Sequence, residues 1–184
     1  ISTDKAVNPS TLMGKSKLAA EKIVNKANNK NLKKTFHSIR FGNVIGSRGS
    51  VLEVFKNQIK ANLNLTITHK KMTRFFMNLD DAANKILESA KISRGGEIFA
   101  IQSMQSFKID DLAKVLIKYY KKGKINRSKI SYIGIRKNEK LEEVLLSNTE
   151  AKNATQTKDF FILNSSFSIE NNKNFYNGLQ LHDK

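Results

Sequence analysis

Thr35-Phe36-His37-Ser38-Ile39-Arg40-Phe41-Gly42-Asn43-Val44-Ile45 alternates polar and apolar residues, turns apolar, and stops at Gly46-Ser47-Arg48-Gly49-Ser50. That pattern predicts one buried strand over 35–45 running into a loop, with a polar residue at its C-terminal end where ligands commonly sit. Upstream, Asn8-Pro9-Ser10-Thr11 is a turn and N-cap signal, and Leu12, Leu18, Ala19, Ile23, Val24 and Ala27 recur at helical spacing to about Asn28. Downstream, the spacing predicts a helix from Val51 to about Ala61 and a strand over 65–68. A third helix opens at Asp80-Asp81, reaches about Lys91 and is stopped by Gly95-Gly96. A strand over 97–102, a helix over 109–120, a strand over 130–135 and a short helix over 140–146 complete the reading. Strands alternating with helices define an α/β protein with a largely parallel sheet.

Composition narrows the function classes. The 184 residues, 39% of them hydrophobic, suffice for one ordinary core or for parts of two lobes. No run of 18 apolar residues and no opening signal sequence occur, so no membrane span is expected in this segment and a cytoplasmic location is. Without cysteine, and with His37, His69 and His182 scattered, no metal site is expected. The net charge of +17 comes from lysines dispersed among asparagines, which is residue usage and not a phosphate-binding patch, so no nucleic-acid partner is expected.

Two constellations carry possible chemistry. Ser2-Thr3-Asp4-Lys5 sits where a strand ends, and Met13 and Lys17, four residues apart, share a helix face beyond it. By spacing alone, Asp4 and Lys5 are an ordinary solvated turn pair and Lys17 a surface lysine. Asn43 among Gly42, Gly46 and Gly49 suits a loop whose backbone approaches a ligand, and Arg48, Arg74 and Arg136 are suited to pair with a diphosphate. Each arginine taken singly reads as a surface ion pair. Phe75-Phe76 and Phe160-Phe161 read as core and not as stacking platforms.

Ser-Thr-Asp-Lys-Ala-Val-Asn-Pro (2–9) followed by Met13-Gly14-x-x-Lys17 resembles the active-site segment of inverting UDP-N-acetylglucosamine 4,6-dehydratases and related capsular polysaccharide biosynthesis enzymes, which are extended short-chain dehydrogenase/reductases. Arg40 to Val51, Met72-Thr73-Arg74-Phe75, Gly95-Gly96-Glu97-Ile98-Phe99 and Gly134-Ile135-Arg136 before Glu139-Lys140-Leu141 follow in the same order as in that family.

The resemblance implies the C-terminal part of a Rossmann-like parallel sheet with a smaller mixed α/β substrate-binding lobe. Residues 1–47 would end the dinucleotide-binding domain, whose N-terminal half is missing. Residues 48–164 would form the substrate lobe, interleaved with the last Rossmann helix and strand at about 76–102, and 165–184 a polar tail. It implies a UDP-N-acetylhexosamine substrate, NADP or NAD as cofactor, a homo-oligomer, and conversion to a UDP-4-keto-6-deoxy sugar for surface polysaccharide or glycan synthesis. Membrane association through a preceding region is left open.

By position in the motif, Asp4 protonates the departing C6 hydroxyl, Lys5 takes the C5 proton, and Thr3 bonds near the C4 oxygen. Ser2 and Lys17 contact the cofactor. Asn43, Arg48, Ser50, Arg74, Arg136 and Glu139 line the sugar-nucleotide site. Two departures stand out. Met13 occupies the position where most such enzymes have a proton-exchanging tyrosine, leaving the base for the C4 hydroxyl unassigned. Arg136-Lys137-Asn138-Glu139-Lys140 replaces the usual Arg-Pro-Gly-Glu-Lys. No G-x-G-x-x-G occurs in the sequence, so this polypeptide by itself is expected to bind the dinucleotide poorly and to be inactive. The rival readings are a UDP-sugar 4-epimerase, which needs no C5 base, and a truncated remnant or basic binding module without catalysis.

Overall fold

The computed structural model describes residues 1–28, 35–120 and 128–163. The chain divides into two compact units. The first comprises 1–42, 80–104 and the chain from 144 onward; the second comprises 43–79 and 105–143. The expected polar tail, 165–184, lies outside the described residues.

In the first unit, β1 (Ser2–Thr3), β2 (Ser38–Phe41), β6 (Ile98–Ile101), β10 (Phe160–Leu163) and β9 (Thr155–Gln156) form one sheet in that order. β1, β2 and β6 run parallel, while β10 runs antiparallel to both β6 and β9. Central β6 is apolar throughout, as a strand covered on both faces must be, and Phe99, Ala100 and Ile101 are fully buried. Phe99 packs edge-to-face on Phe160 at 5.4 Å between centroids and on His37 at 5.2 Å. Helices α1 (Leu12–Ala27), α3 (Leu79–Ile92) and α5 (Asn148–Asn153) complete this part of the chain.

The α1 helix starts at Thr11, whose hydroxyl accepts from Gly14 N at 3.1 Å. The apolar residues that give it helical periodicity are not those it buries: Leu12 is 84% and Ile23 69% exposed, while Gly14 and Glu21 are buried.

The second unit holds a three-stranded sheet of β3 (Asn43–Val44), β5 (Thr73–Met77) and β7 (Gln105–Lys108), with β3 parallel and β7 antiparallel to β5. A separate parallel pair joins β4 (Leu65–Ile67) to β8 (Ile130–Tyr132). Helix α2 (Val51–Lys60) contributes Phe55 and Ile59, and α4 (Ile109–Tyr120) contributes Ile109 and Ala113, to a core with Leu65, Ile67, Met72 and Phe76. Both helical pairs are spaced i,i+4, so each helix presents one stripe inward.

Two expectations are corrected. The single strand over 35–45 is broken at Gly42, whose N–H donates to Met104 Sδ at 3.0 Å; β2 and β3 on either side belong to different sheets. The short helix over 140–146 does not form, and the helix in this region is α5 further on. Tertiary partners claim a carbonyl that such a helix needs: Leu141 O accepts from Thr73 N and Arg74 Nη1, each at 3.1 Å. The α5 helix has a complete capping box between Ser147 and Glu150. Phe76 and Phe160 are buried, whereas Phe75 and Phe161 are half-buried.

Candidate active site

The chain leaves β1 in a single 3-10 turn, Asp4–Ala6. Thr3 caps it, accepting from Lys5 N at 3.4 Å while its hydroxyl donates to Asp4 Oδ1 at 2.8 Å. Lys5 Nζ donates to the same Oδ1 at 2.9 Å. Asp4 is completely buried and its other oxygen, Oδ2, has no hydrogen-bond partner. The solvated-turn reading therefore does not describe Asp4.

Helix α1 lies directly on this turn. A Cβ on Gly14 would sit 2.3 Å from Lys5 O, so only glycine permits the approach. One turn on, Lys17 Nζ donates to Ile1 O at 3.2 Å, and Met13 on the same face is 48% exposed. Another turn on, Glu21 accepts from Ser2 Oγ at 2.5 Å. Thus Ser2, expected at the cofactor, directs its hydroxyl to Glu21.

Glu21 is the centre of a buried network. Parallel pairing puts Ser2 opposite Arg40, and both side chains reach the same carboxylate. Arg40 Nε donates to Glu21 Oε1 and Nη2 to Oε2, both at 2.8 Å, and Nη2 also donates to Glu150 Oε1 at 2.9 Å. Burial pulls the Arg40 pKa down, but the bonds from Glu21 and Glu150 outweigh it and the net shift is upward. Burial pushes Glu150 up, and Arg40 with the Ser147 backbone more than compensates, so Glu150 lies below the usual carboxylate range. Sequence reasoning did not single out Glu21, Arg40 or Glu150 as site residues. The available signal was Glu21 four residues after Lys17 and seven after Gly14, on one helix face.

In the second unit, a cleft of about 440 Å³ is lined by Asn43, Arg48, Ser50, Arg74, Arg136 and Glu139 among others, so the six residues expected at a sugar-nucleotide site share one cavity. Ser50 is the N-cap of α2 but makes no capping bond, and its buried hydroxyl has no partner. The Arg74 guanidinium donates from Nη1 to Thr73 O at 2.7 Å and to Leu141 O at 3.1 Å, and lies 3.6 Å from Glu139 Oε1. Glu139 Oε2 accepts from Arg136 N at 3.1 Å. Both oxygens of Glu139 therefore engage protein groups that shape the cleft. Arg48 and Arg136 are exposed at its edge.

Among the described residues, no three His, Asp or Glu side chains group as metal ligands, and no helix is long and apolar enough to cross a membrane.

A mixed sheet with a parallel centre, a tight turn at the end of one strand and a glycine-backed helix above it define a Rossmann-like α/β fold of the extended short-chain dehydrogenase/reductase type. The X-ray structure of Pen from Bacillus thuringiensis superposes with a TM-score of 0.84 and 38% identity, over 91% of this chain and 52% of that one. The family model described as polysaccharide biosynthesis protein matches residues 1–165, and the chain belongs to that family. Capsular polysaccharide biosynthesis protein CapD of Staphylococcus aureus is 47% identical over 150 residues, 82% of this chain and 25% of the relative. The inverting UDP-N-acetylglucosamine 4,6-dehydratase of Campylobacter jejuni is 37% identical over 187 residues, covering 100% of this chain and 53% of the relative. UDP-glucose 4-epimerases of Rickettsia species match at 39% and 40% identity. The chain thus spans between a quarter and about half of the curated relatives it matches.

Proposed function

We propose that the whole protein is a nucleotide-sugar 4,6-dehydratase, converting a UDP-N-acetylhexosamine to its 4-keto-6-deoxy form for surface polysaccharide or glycan synthesis. In this reading the first unit ends the dinucleotide-binding domain and the second is the substrate lobe. The observation that carries it is the Asp4–Lys5 pair. Elimination across C5 and C6 needs a base for the C5 proton and an acid for the departing C6 hydroxyl. Lys5 and Asp4 share a hydrogen bond of 2.9 Å. Moving one proton along it converts the ion pair into a neutral amine and a carboxylic acid without changing the net charge. The acid's other oxygen, Oδ2, is the buried one without a partner.

The roles then follow. Lys5 Nζ takes the C5 proton and, once C6 has been reduced, returns a solvent-exchanged proton to C5; Asp4 gives its proton to the C6 oxygen, which leaves as water; Thr3, fixed by its bond to Asp4, presents its oxygen toward the C4 position. NADP or NAD, when bound, would supply the redox chemistry at C4 and C6. The half-buried Lys17 ammonium fits its nicotinamide ribose, having donors beyond the one used on Ile1 O. The pyrophosphate cradle of such a cofactor has no counterpart in these 184 residues. In the second unit, Arg48, Arg74 and Arg136 suit the diphosphate, Glu139 orienting Arg74. A cytoplasmic homo-oligomer is the expected setting.

The test is to incubate the full-length protein with UDP-N-acetylglucosamine and NADP in deuterated water and follow the sugar by NMR. A 4-keto-6-deoxy product carrying deuterium at C5 is expected, and Lys5→Met should slow its formation by about 10²-fold or more. A C4 epimer without C5 deuterium would move the assignment to the 4-epimerases, and unchanged sugar would refute this substrate.

A further inference from the structure

We infer that the Ser2–Glu21 hydrogen bond is a positioning contact that fixes helix α1, with Met13 and Lys17, in register over the Thr3–Lys5 turn. This rests on the reading of Asp4, Lys5 and Lys17 given above. The helix touches the first five residues at three successive turns: Gly14 against Lys5 O, Lys17 on Ile1 O, and Glu21 on Ser2 Oγ. Of these, the Glu21 contact is anchored from the neighbouring strand β2. Its side chain is 2% exposed and gripped through both oxygens by Arg40, which is 1% exposed and tied in turn to Glu150.

A buried ion pair of this kind contributes little net stability compared with an apolar replacement, because desolvation offsets the attraction. What it does supply is a fixed direction. Arg40 belongs to β2, the strand paired with β1, so its fork places the Glu21 carboxylate at one height along the sheet. The Ser2 hydroxyl meets it there. Ser2 is the residue two before Asp4, and Glu21 is one helical turn beyond Lys17, so a change at this bond is transmitted to both sides of the acid–base group. Ser2 thereby acts through Glu21.

Ser2→Ala removes the bond while leaving Glu21 paired with Arg40, so folding should survive. In the full-length protein we expect kcat to fall about tenfold with the KM for the nucleotide sugar unchanged. Amide hydrogen exchange over 12–20 should rise by a similar factor, while exchange over 98–101 stays constant. Ser2→Thr, which keeps the hydroxyl, should restore both. If exchange over 12–20 does not change in Ser2→Ala, the positioning role is overturned whatever happens to kcat; a loss confined to KM overturns it equally. A wild-type protein that does not dehydrate the sugar would refute the dehydratase reading alone, and the exchange experiment would still decide the contact.

Discussion

At the residue scale, Asp4 shows how little an isolated charge in a sequence says about its surroundings. Nothing in the local spacing distinguishes it from a solvated turn residue, yet it is wholly buried, with one oxygen shared by Thr3 and Lys5 and the other unpartnered. The motif resemblance located the residue; its burial comes from long-range packing that no window of sequence contains. His37 is a second case. It was set aside as a scattered histidine, but it packs on Phe99 and bonds Ser89 Oγ at 3.0 Å. Burial lowers its pKa, outweighing the opposing pull of Glu97. The unfolded chain, with the ordinary value near 6.5, therefore binds the proton first as pH falls. Stability should be complete above about pH 6.5 and decline as pH drops through the lower folded-state pKa. Urea midpoints between pH 5 and 8 should show that decline, and His37→Gln should flatten it.

At the scale of elements, helix and strand positions were legible wherever the periodicity was strong. Helices α2, α3 and α4 begin or end within a residue or two of the expected limits because their apolar stripes and acidic first turns coincide. β5, β7, β9 and β10 had been missed as strands. They are short, and β7 is exposed at all four residues, so only its pairing with β5 makes it a strand. Helix α1 was found for the wrong face, since what seats it is a glycine and a buried glutamate. Gly14→Ala sets two effects against each other. Alanine gains up to about 1 kcal/mol in helix propensity. Its Cβ would meet Lys5 O at 2.3 Å, and overpacking against backbone costs about 1–3 kcal/mol. The steric cost should win: thermal melting should show a lower Tm for Gly14→Ala despite the better helix former.

At the scale of the whole molecule, the α/β class and the ordered motif blocks were readable from one end to the other. The single strand expected over 35–45 breaks at Gly42, and its two parts join different sheets. Glycine there looked like part of a ligand loop, and its use at a change of sheet depends on Met104, 62 residues away. The chain passes between the units four times, after Gly42, Leu79, Met104 and Glu143. For protein engineering this fixes the grammar of exchange. Transplantation of the second unit must graft 43–79 and 105–143 together, since either one alone splits the β5–β7 pairing and the shared core of α2 and α4. Double grafts from a relative should express as soluble protein with a single cooperative melt, and single grafts should aggregate. Diversification of this unit by recombination thus requires four simultaneous crossovers, two around each segment, which favours point substitution around the cleft as the route to variation.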